Sequence, residues 1–322
     1  MNKIKIFSGV AGIPLATKIC ERLSMPLGLV DDKRHNDGEV FIKLEEDVRD
    51  ADVFIVNPTN PPAENFFDLC FLAKAARGSS ANRVTLVTSY LGYNRQDRKD
   101  QARVQISARF IADMLIQTRA DRILLLDLHS EATQGLFEPL IFDHLYGSNV
   151  AVSYLQTILK NDFVVASPDK GGGPRAEAYA HRLGLDDYVL FTKSRSKPGE
   201  IKKGSIKIIG DVEGKDVIFV DDIIDTAGTI VDDAEEAKKQ GANNIYVFAT
   251  HALFSNDKNG ISALEKIERS SIKEVIVTDS IFHNKTSVKQ KCGKITFLSV
   301  APLLAEAIRR IHEGESLKSL II

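Results

Sequence analysis

VIFVDDIIDTAGT, residues 217–229, is the stretch on which the reading of this chain turns. An unbroken apolar run, VIFV, ends in two adjacent acids, Asp221 and Asp222. A third acid, Asp225, opens a turn holding Thr226, Ala227, Gly228 and Thr229, and a helical pattern, IVDDAEEAKKQ, follows. Consecutive large apolar residues without alternation predict a strand buried on both faces, hence a parallel sheet. In open parallel sheets, ligands sit at the carboxyl ends of the strands, where loops lead into helices. Gly228 lets a backbone approach a ligand closely. The hydroxyls of Thr226 and Thr229 and the N–H groups that open the next helix suit a phosphate, although no lysine of the P-loop kind follows. Asp221 and Asp222 offer only acceptors, and the donors found beside a phosphate are sugar hydroxyls. The turn therefore predicts a ribose phosphate, with the phosphate in the turn and the 2- and 3-hydroxyls on the paired acids. An ordinary helix N-cap needs one such residue, not six.

The same grammar runs through the rest of the chain. Apolar runs such as KIKIF, DVFIV (52–56), RILLLD (122–127), FVVAS (163–167), NIYVFAT, EVIVTD and ITFLSV alternate with amphipathic patterns such as LATKICERL and VQISARFIADMLIQ. That rhythm predicts an α/β fold with right-handed crossovers. The length of 322 residues predicts two domains. The Gly147-Ser148-Asn149 turn marks a boundary, giving 1–147 and 148–299, with the final helix, 300–314, packing back on the first half. A net charge of -2 gives no global attraction to nucleic acid or to a membrane surface. Three scattered cysteines, Cys20, Cys70 and Cys292, suit neither a disulfide framework nor zinc. With no signal-peptide core and no apolar run of membrane-spanning length, a cytoplasmic compartment is expected.

Four further stretches carry chemistry. SYLGYNRQDRKD (89–100) follows a strand and holds Arg95, Gln96 and Asp97, and an arginine can pair with phosphate or stack on a base. LLLDLHSEATQGLF (124–137) places His129 just past a buried strand, and SPDKGGGPR (167–175) places Asp169 at another strand end. A His and an Asp converging there would hold a Mg²⁺ that also bridges substrate phosphates. KSRSKPGEIKKG (193–204) is basic, with Lys193 and Arg195, and reads either as a mobile lid over polyphosphate or as a solvated hairpin.

Together with KIFSG, NDGE, VTDSI and LSVAPLLAEAIRRIHEGESLKSL, these motifs resemble the ribose-phosphate diphosphokinases, or phosphoribosyl-pyrophosphate synthetases, of the large class found in bacteria and animals. The resemblance spans nearly the whole chain. It implies two similar domains of the type I phosphoribosyltransferase kind, Mg²⁺ dependence, and a homo-oligomer in which dimers build hexamers. It implies transfer of the diphosphoryl group of ATP to ribose 5-phosphate, with neither nucleic acid nor membrane as partner. On the matching motifs, Arg95, Gln96 and Asp97 bind ATP together with His35, Asp37 and Glu39 of a neighbouring subunit. His129 and Asp169 hold the metal, with His129, Lys193 and Arg195 as the catalytic set. Asp221, Asp222, Asp225, Thr226, Ala227, Gly228 and Thr229 form the ribose 5-phosphate loop. Departures are visible: His35 stands where the family usually has phenylalanine, PTNPPAENFF differs from the usual segment, GGGPR carries Pro174 where many members have another residue, and Ala102 precedes Arg103 where a regulatory serine is common.

Three alternatives are weighed against this reading. GGGPRA (171–176) formally fits the dinucleotide-binding G-x-G-x-x-A of an oxidoreductase, but Pro-Asp-Lys separates it from the strand. An ordinary phosphoribosyltransferase needs one domain and no RQD segment. A catalytically inactive regulatory paralogue predicts eroded catalytic positions, whereas Lys193, Arg195, His129 and the 221–229 loop are intact.

Overall fold

A computed structural model of the chain describes residues 3–160, 162–197 and 200–321, with the backbone alone described at 193–197 and 200–205. The chain divides into two compact units, one of Met1–Gly147, Ser280–Phe282 and Ser299–Ile322, the other of Ser148–Asp279 and His283–Leu298.

The first unit runs β1 (Ile4–Ser8), α1 (Ile13–Arg22), β2 (Val30–Arg34), β3 (Val40–Leu44), β4 (Asp52–Val56), α2 (Glu64–Gly78), β5 (Arg83–Thr88), α3 (Ser107–Gln117), β6 (Arg122–Leu126) and β7 (Ile141–Leu145). Five of these strands form a parallel sheet in the order β1-β4-β5-β6-β7, while β2 and β3 pair as a separate antiparallel hairpin. Every residue of β4 is buried. Because side chains alternate across a strand, Val53 and Ile55 pack into one core with Leu69 and Ala73 of α2 and Ile111 and Leu115 of α3.

The second unit contains α4 (Ser148–Ile158), β8 (Phe163–Ser167), α5 (Gly173–Arg182), β9 (Val189–Lys197), β10 (Glu200–Ile209), β11 (Asp216–Ile224), α6 (Gly228–Lys239), β12 (Ile245–Ala252), α7 (Ala263–Arg269), β13 (Glu274–Thr278), α8 (Lys285–Lys291) and β14 (Ile295–Leu298). Its sheet has the order β10-β9-β8-β11-β12-β13-β14 and is parallel except for the β9–β10 hairpin. The VIFV run explains itself here. Val217 and Phe219 enter the core that α6 covers with Ile230 and Ala234. Ile218 and Val220 enter the opposite core, which α4 and α5 cover with Leu155, Ala176 and Tyr179. Both faces are dry, so no polar residue interrupts the run.

After β14 the chain returns to the first unit as α9 (Ala301–Glu313) and α10 (Lys318–Ile321). Pro302 lies in the first turn of α9, and Gly314, with φ 74°, closes it in the left-handed conformation that glycine adopts without steric cost. The end of α9 is pinned to the sheet: Arg83 donates from Nη2 to the Ile311 carbonyl at 2.8 Å and from Nε to Asp52 Oδ1 at 2.8 Å. The His312 ring meets Asp52 Oδ2 at 2.7 Å. Among the described residues, no helix is long and apolar enough to cross a membrane.

Candidate functional site

The order of the second sheet locates a crevice. From β8 the chain moves to β9 on one side and then returns to place β11 on the other. The helix after β8, α5, packs on one face, and the helix after β11, α6, packs on the opposite face. Loops that leave adjacent strands toward opposite faces open a gap between them, which is where ligands bind in such sheets. The two loops concerned are 168–172 and 225–227.

On the β11 side, the strand runs through Asp221 and Asp222 to Ile224, so the paired acids stand on the strand rather than in the turn. Strand alternation sends them to opposite faces, but Asp221 Oδ1 folds back to accept the Asp222 N–H at 2.8 Å. Asp222 is buried and Asp221 half-buried. Arg175, three residues into α5, reaches both, with Nη1 at 3.1 Å from Asp222 Oδ1 and 3.4 Å from Asp221 Oδ1. Burial and the neighbouring Asp222 charge push the Asp221 carboxyl well above the ordinary carboxylate range, and Arg175 opposes them.

The turn beyond is held from behind. The Asp225 carbonyl accepts the Ser255 N–H at 3.1 Å, and the Thr226 carbonyl faces Lys266 Nζ at 3.4 Å. Ala227 takes φ 57°, an uncommon left-handed conformation for a residue with a Cβ, and delivers the chain directly into α6 at Gly228. The N-cap residue, Ala227, has no side chain that could cap this helix, and the first-turn N–H groups of a helix lack intrahelical partners. A Cβ placed on Gly228 would meet nothing nearer than Thr226 Oγ1 at 3.9 Å. Packing within the protein therefore does not require glycine at 228, whereas a closely approaching ligand would.

On the β8 side the glycines have an internal reason. A Cβ at Gly172 would come within 2.7 Å of Ser167 Oγ, and one at Gly173 within 2.8 Å of the Tyr188 hydroxyl. Asp169 Oδ1 accepts the Gly172 N–H at 2.9 Å, and Ser167 Oγ donates to the Asp169 carbonyl at 2.7 Å. A dinucleotide cradle needs that glycine N–H for the ligand, so this geometry disfavours the oxidoreductase reading of GGGPRA.

Mg²⁺ takes oxygen ligands, keeps several waters, and is commonly held by one or two carboxylates together with substrate phosphates. Asp169 at a crevice lip suits such an open arrangement. Among the described residues, no group of three or more His, Cys, Asp or Glu forms a closed cage. His129 lies in the first unit and Asp169 in the second.

In the first unit, His129 is exposed, in the loop after β6. Asp127 begins that loop at φ 36°, and its Oδ2 accepts the Gly147 N–H at 2.8 Å. The Leu128 N–H donates to Nε2 of buried His144 at 2.9 Å, and the Tyr146 hydroxyl donates to Glu131 Oε1 at 3.0 Å. Burial and that carboxylate push the Tyr146 hydroxyl up to about 12. Arg95 is exposed in the loop after β5. Gln96 and Asp97 are half-buried, and Gln96 Oε1 accepts the Ser107 hydroxyl at 2.9 Å, tying the RQD segment to the start of α3. His35, Asp37 and Glu39 are all exposed at the tip of the β2–β3 hairpin. There Asp37 Oδ1 accepts the Glu39 N–H at 3.0 Å, and the His35 ring stands edge-on to Phe41 with centroids 5.8 Å apart. Lys193 and Arg195 belong to β9, opposite Ile206 and Ile201 of β10. The basic segment thus has hairpin backbone, and its side chains lie outside the described residues.

Residues 4–118 match the N-terminal domain of ribose phosphate pyrophosphokinase, and residues 193–322 match the phosphoribosyl synthetase-associated domain. The ribose-phosphate pyrophosphokinase of Porphyromonas gingivalis is 42% identical over 320 residues, covering 99% of this chain and 98% of its own. The chain belongs to the ribose-phosphate pyrophosphokinase family. Another family member, from Chlorobaculum tepidum, is 43% identical over 318 residues, covering 98% and 94% of the two chains. Among solved structures, the phosphoribosylpyrophosphate synthetase of Mycobacterium smegmatis superposes with a TM-score of 0.88 at 31% identity, covering 97% of this chain and all of the other.

Two participants have no counterpart in the sequence reading. Arg175 stood there only as the end of the GGGPR run, because its nearness to the acid pair depends on β8 and β11 being sheet neighbours. His144 sits 15 residues beyond His129 in an unremarkable run, IFDHL.

Proposed function

We propose that the chain transfers the diphosphoryl group of ATP to the anomeric hydroxyl of ribose 5-phosphate, giving phosphoribosyl pyrophosphate and AMP. The observation that carries this reading is the switch-point crevice, where a helix N-terminus and an unfilled space over Gly228 stand beside the acceptors of Asp221 and Asp222. A phosphate fits the first and a diol the second. The sugar phosphate binds through Asp225, Thr226, Ala227, Gly228 and Thr229, with its hydroxyls on the two acids. The anomeric oxygen then attacks the β-phosphorus and AMP leaves.

Phosphoryl transfer of this kind asks the protein for positioning and charge neutralisation rather than covalent chemistry. The residues that would hold Mg²⁺ with ATP are His129 and Asp169, and the ion would offset the charge of the phosphates. Lys193 and Arg195 stabilise charge developing on the leaving α-phosphate. Arg95, Gln96 and Asp97 hold the nucleotide from one subunit, and His35, Asp37 and Glu39 from its neighbour. The bond from Ser107 to Gln96 anchors the RQD loop to α3 while it holds the nucleotide. Exposure of the hairpin tip carrying His35 is what such sharing between subunits requires, in a hexamer built from dimers. The enzyme works in the cytoplasm without nucleic acid or membrane. The test is AMP release from Mg–ATP by the purified protein. Release that depends on ribose 5-phosphate supports the reading, and release indifferent to it, or none, refutes it.

A further inference from the structure

The loop that presents His129 is held by the last two residues of β7 and the two that follow it. The Asp127 N–H donates to the Leu145 carbonyl at 2.9 Å, while Asp127 Oδ2 accepts from the Gly147 N–H at 2.8 Å. Leu128 N–H donates to His144 Nε2 at 2.9 Å. The Tyr146 hydroxyl donates to Glu131 Oε1 at 3.0 Å, and the His144 and Tyr146 rings pack with centroids 4.4 Å apart. Residues on both sides of His129 are therefore fastened to four consecutive positions, 144–147, of one neighbouring segment.

The geometry at Asp127 says why such fastening is needed. A non-glycine residue at φ 36° lies outside the favoured regions and persists only when its surroundings over-determine it. Leu128 is buried, so its N–H costs free energy if no acceptor meets it. An N–H aimed at Nε2 requires that nitrogen to carry no proton. The His144 ring itself is buried and packs at a tilt of 49° against Tyr146, which restricts the direction of the acceptor it offers. His129 is exposed on the loop so held.

We infer that His144, supported by Tyr146, is a positioning residue that aims His129 at the metal–ATP. The inference rests on the proposed role of His129. Residues that orient a ligating or substrate-contacting group from behind commonly cost roughly tenfold to a hundredfold in metal affinity when removed.

The experiment measures binding of Mn–ATP to the full-length protein by electron paramagnetic resonance, alongside the KM for ribose 5-phosphate and thermal melting. His144→Leu fills the site but removes the acceptor, and it should weaken Mn–ATP binding by about tenfold or more while leaving the KM for ribose 5-phosphate near wild type. His144→Gln restores an acceptor oxygen on a flexible chain and should recover most of that loss. His129→Ala is the control. If it binds Mn–ATP as the wild type does, the role of His129 falls and the inference with it. If His129→Ala weakens binding and His144→Leu does not, the inference alone is overturned. Equal losses in His144→Leu and His144→Gln, accompanied by a raised KM for the sugar, would show general damage and overturn it too. Should His144→Leu not fold, Tyr146→Phe carries the test, since it removes only the hydroxyl that meets Glu131. A measurable loss of Mn–ATP affinity there supports the platform, and wild-type affinity overturns it.

Discussion

Replacing Arg175 with methionine keeps the apolar stem and removes the charge that faces Asp221 and Asp222. Breaking a fully buried ion pair by deleting one partner costs about 3–5 kcal/mol, while an exposed pair is worth under about 1 kcal/mol. The side chain of Arg175 is 22% exposed, that of Asp222 5% and that of Asp221 33%. The pair lies between the two limits, and a penalty of about 2 kcal/mol is expected at neutral pH. For a unit of this size that is a fall in melting temperature of roughly 4–8 °C. The pH dependence gives the sharper test. Asp221 has a folded-state pKa raised above its unfolded value, so the folded state holds its proton longer, and stability is lost as pH rises through the carboxylate range toward the folded pKa. Arg175 lowers that folded pKa; without it the loss extends to higher pH. The Arg175→Met penalty should therefore be largest near pH 7.5 and shrink toward pH 4, as the Asp221 carboxyl becomes protonated with or without the arginine. Thermal melts of both proteins in EDTA across that range, without substrate, measure it. A penalty that is constant with pH, or that grows on acidification, would refute the reasoning.

Three further outcomes are expected. Asp225→Asn and Thr229→Val should raise the KM for ribose 5-phosphate about tenfold, the value of one lost charge-assisted contact, with little effect on the KM for ATP; equal effects on both would count against the sugar-site assignment. Lys193→Ala and Arg195→Ala should each cut kcat at least about a hundredfold at nearly constant KM, and Lys202→Ala and Lys203→Ala should do far less; a raised KM for ATP with normal kcat would make Lys193 a ground-state binder instead. Burial and the Asp32 charge push the Asp68 carboxyl up to about 6, so wild-type stability should fall by up to about 3 kcal/mol from pH 4 to pH 7 relative to Asp68→Asn, and parallel urea midpoints across that range would dispose of this claim.

The sheet was legible because burial on both faces leaves a plain mark. Val217 to Val220 alternate between two dry cores, and DVFIV and FVVAS coincide with β4 and β8. Strands with a wet face left no such mark. The β2–β3 hairpin contains VDDKR, and β10 contains EIKKG. VDDKR carries no apolar run because a hairpin outside the main sheet can leave polar side chains in water, and EIKKG reads either as part of a lid or as a solvated hairpin. The site divides the same way. The phosphate turn and its acids are contiguous, so their chemistry can be read in order. Arg175 and His144 meet their partners across the fold, one from the helix that follows a neighbouring strand and the other from the next strand along. Nothing in GGGPRA or IFDHL marks what each will face once the sheet forms.

The central claim is that a diphosphoryl group, not a single phosphoryl group, moves to the sugar. Incubation of the protein and ribose 5-phosphate with ATP labelled in parallel at the α- and γ-phosphorus tests it directly. Diphosphoryl transfer predicts γ-label in phosphoribosyl pyrophosphate, all α-label in AMP, and equal amounts of the two products. The α-label emerging in ADP, with γ-label in a ribose bisphosphate, would contradict it.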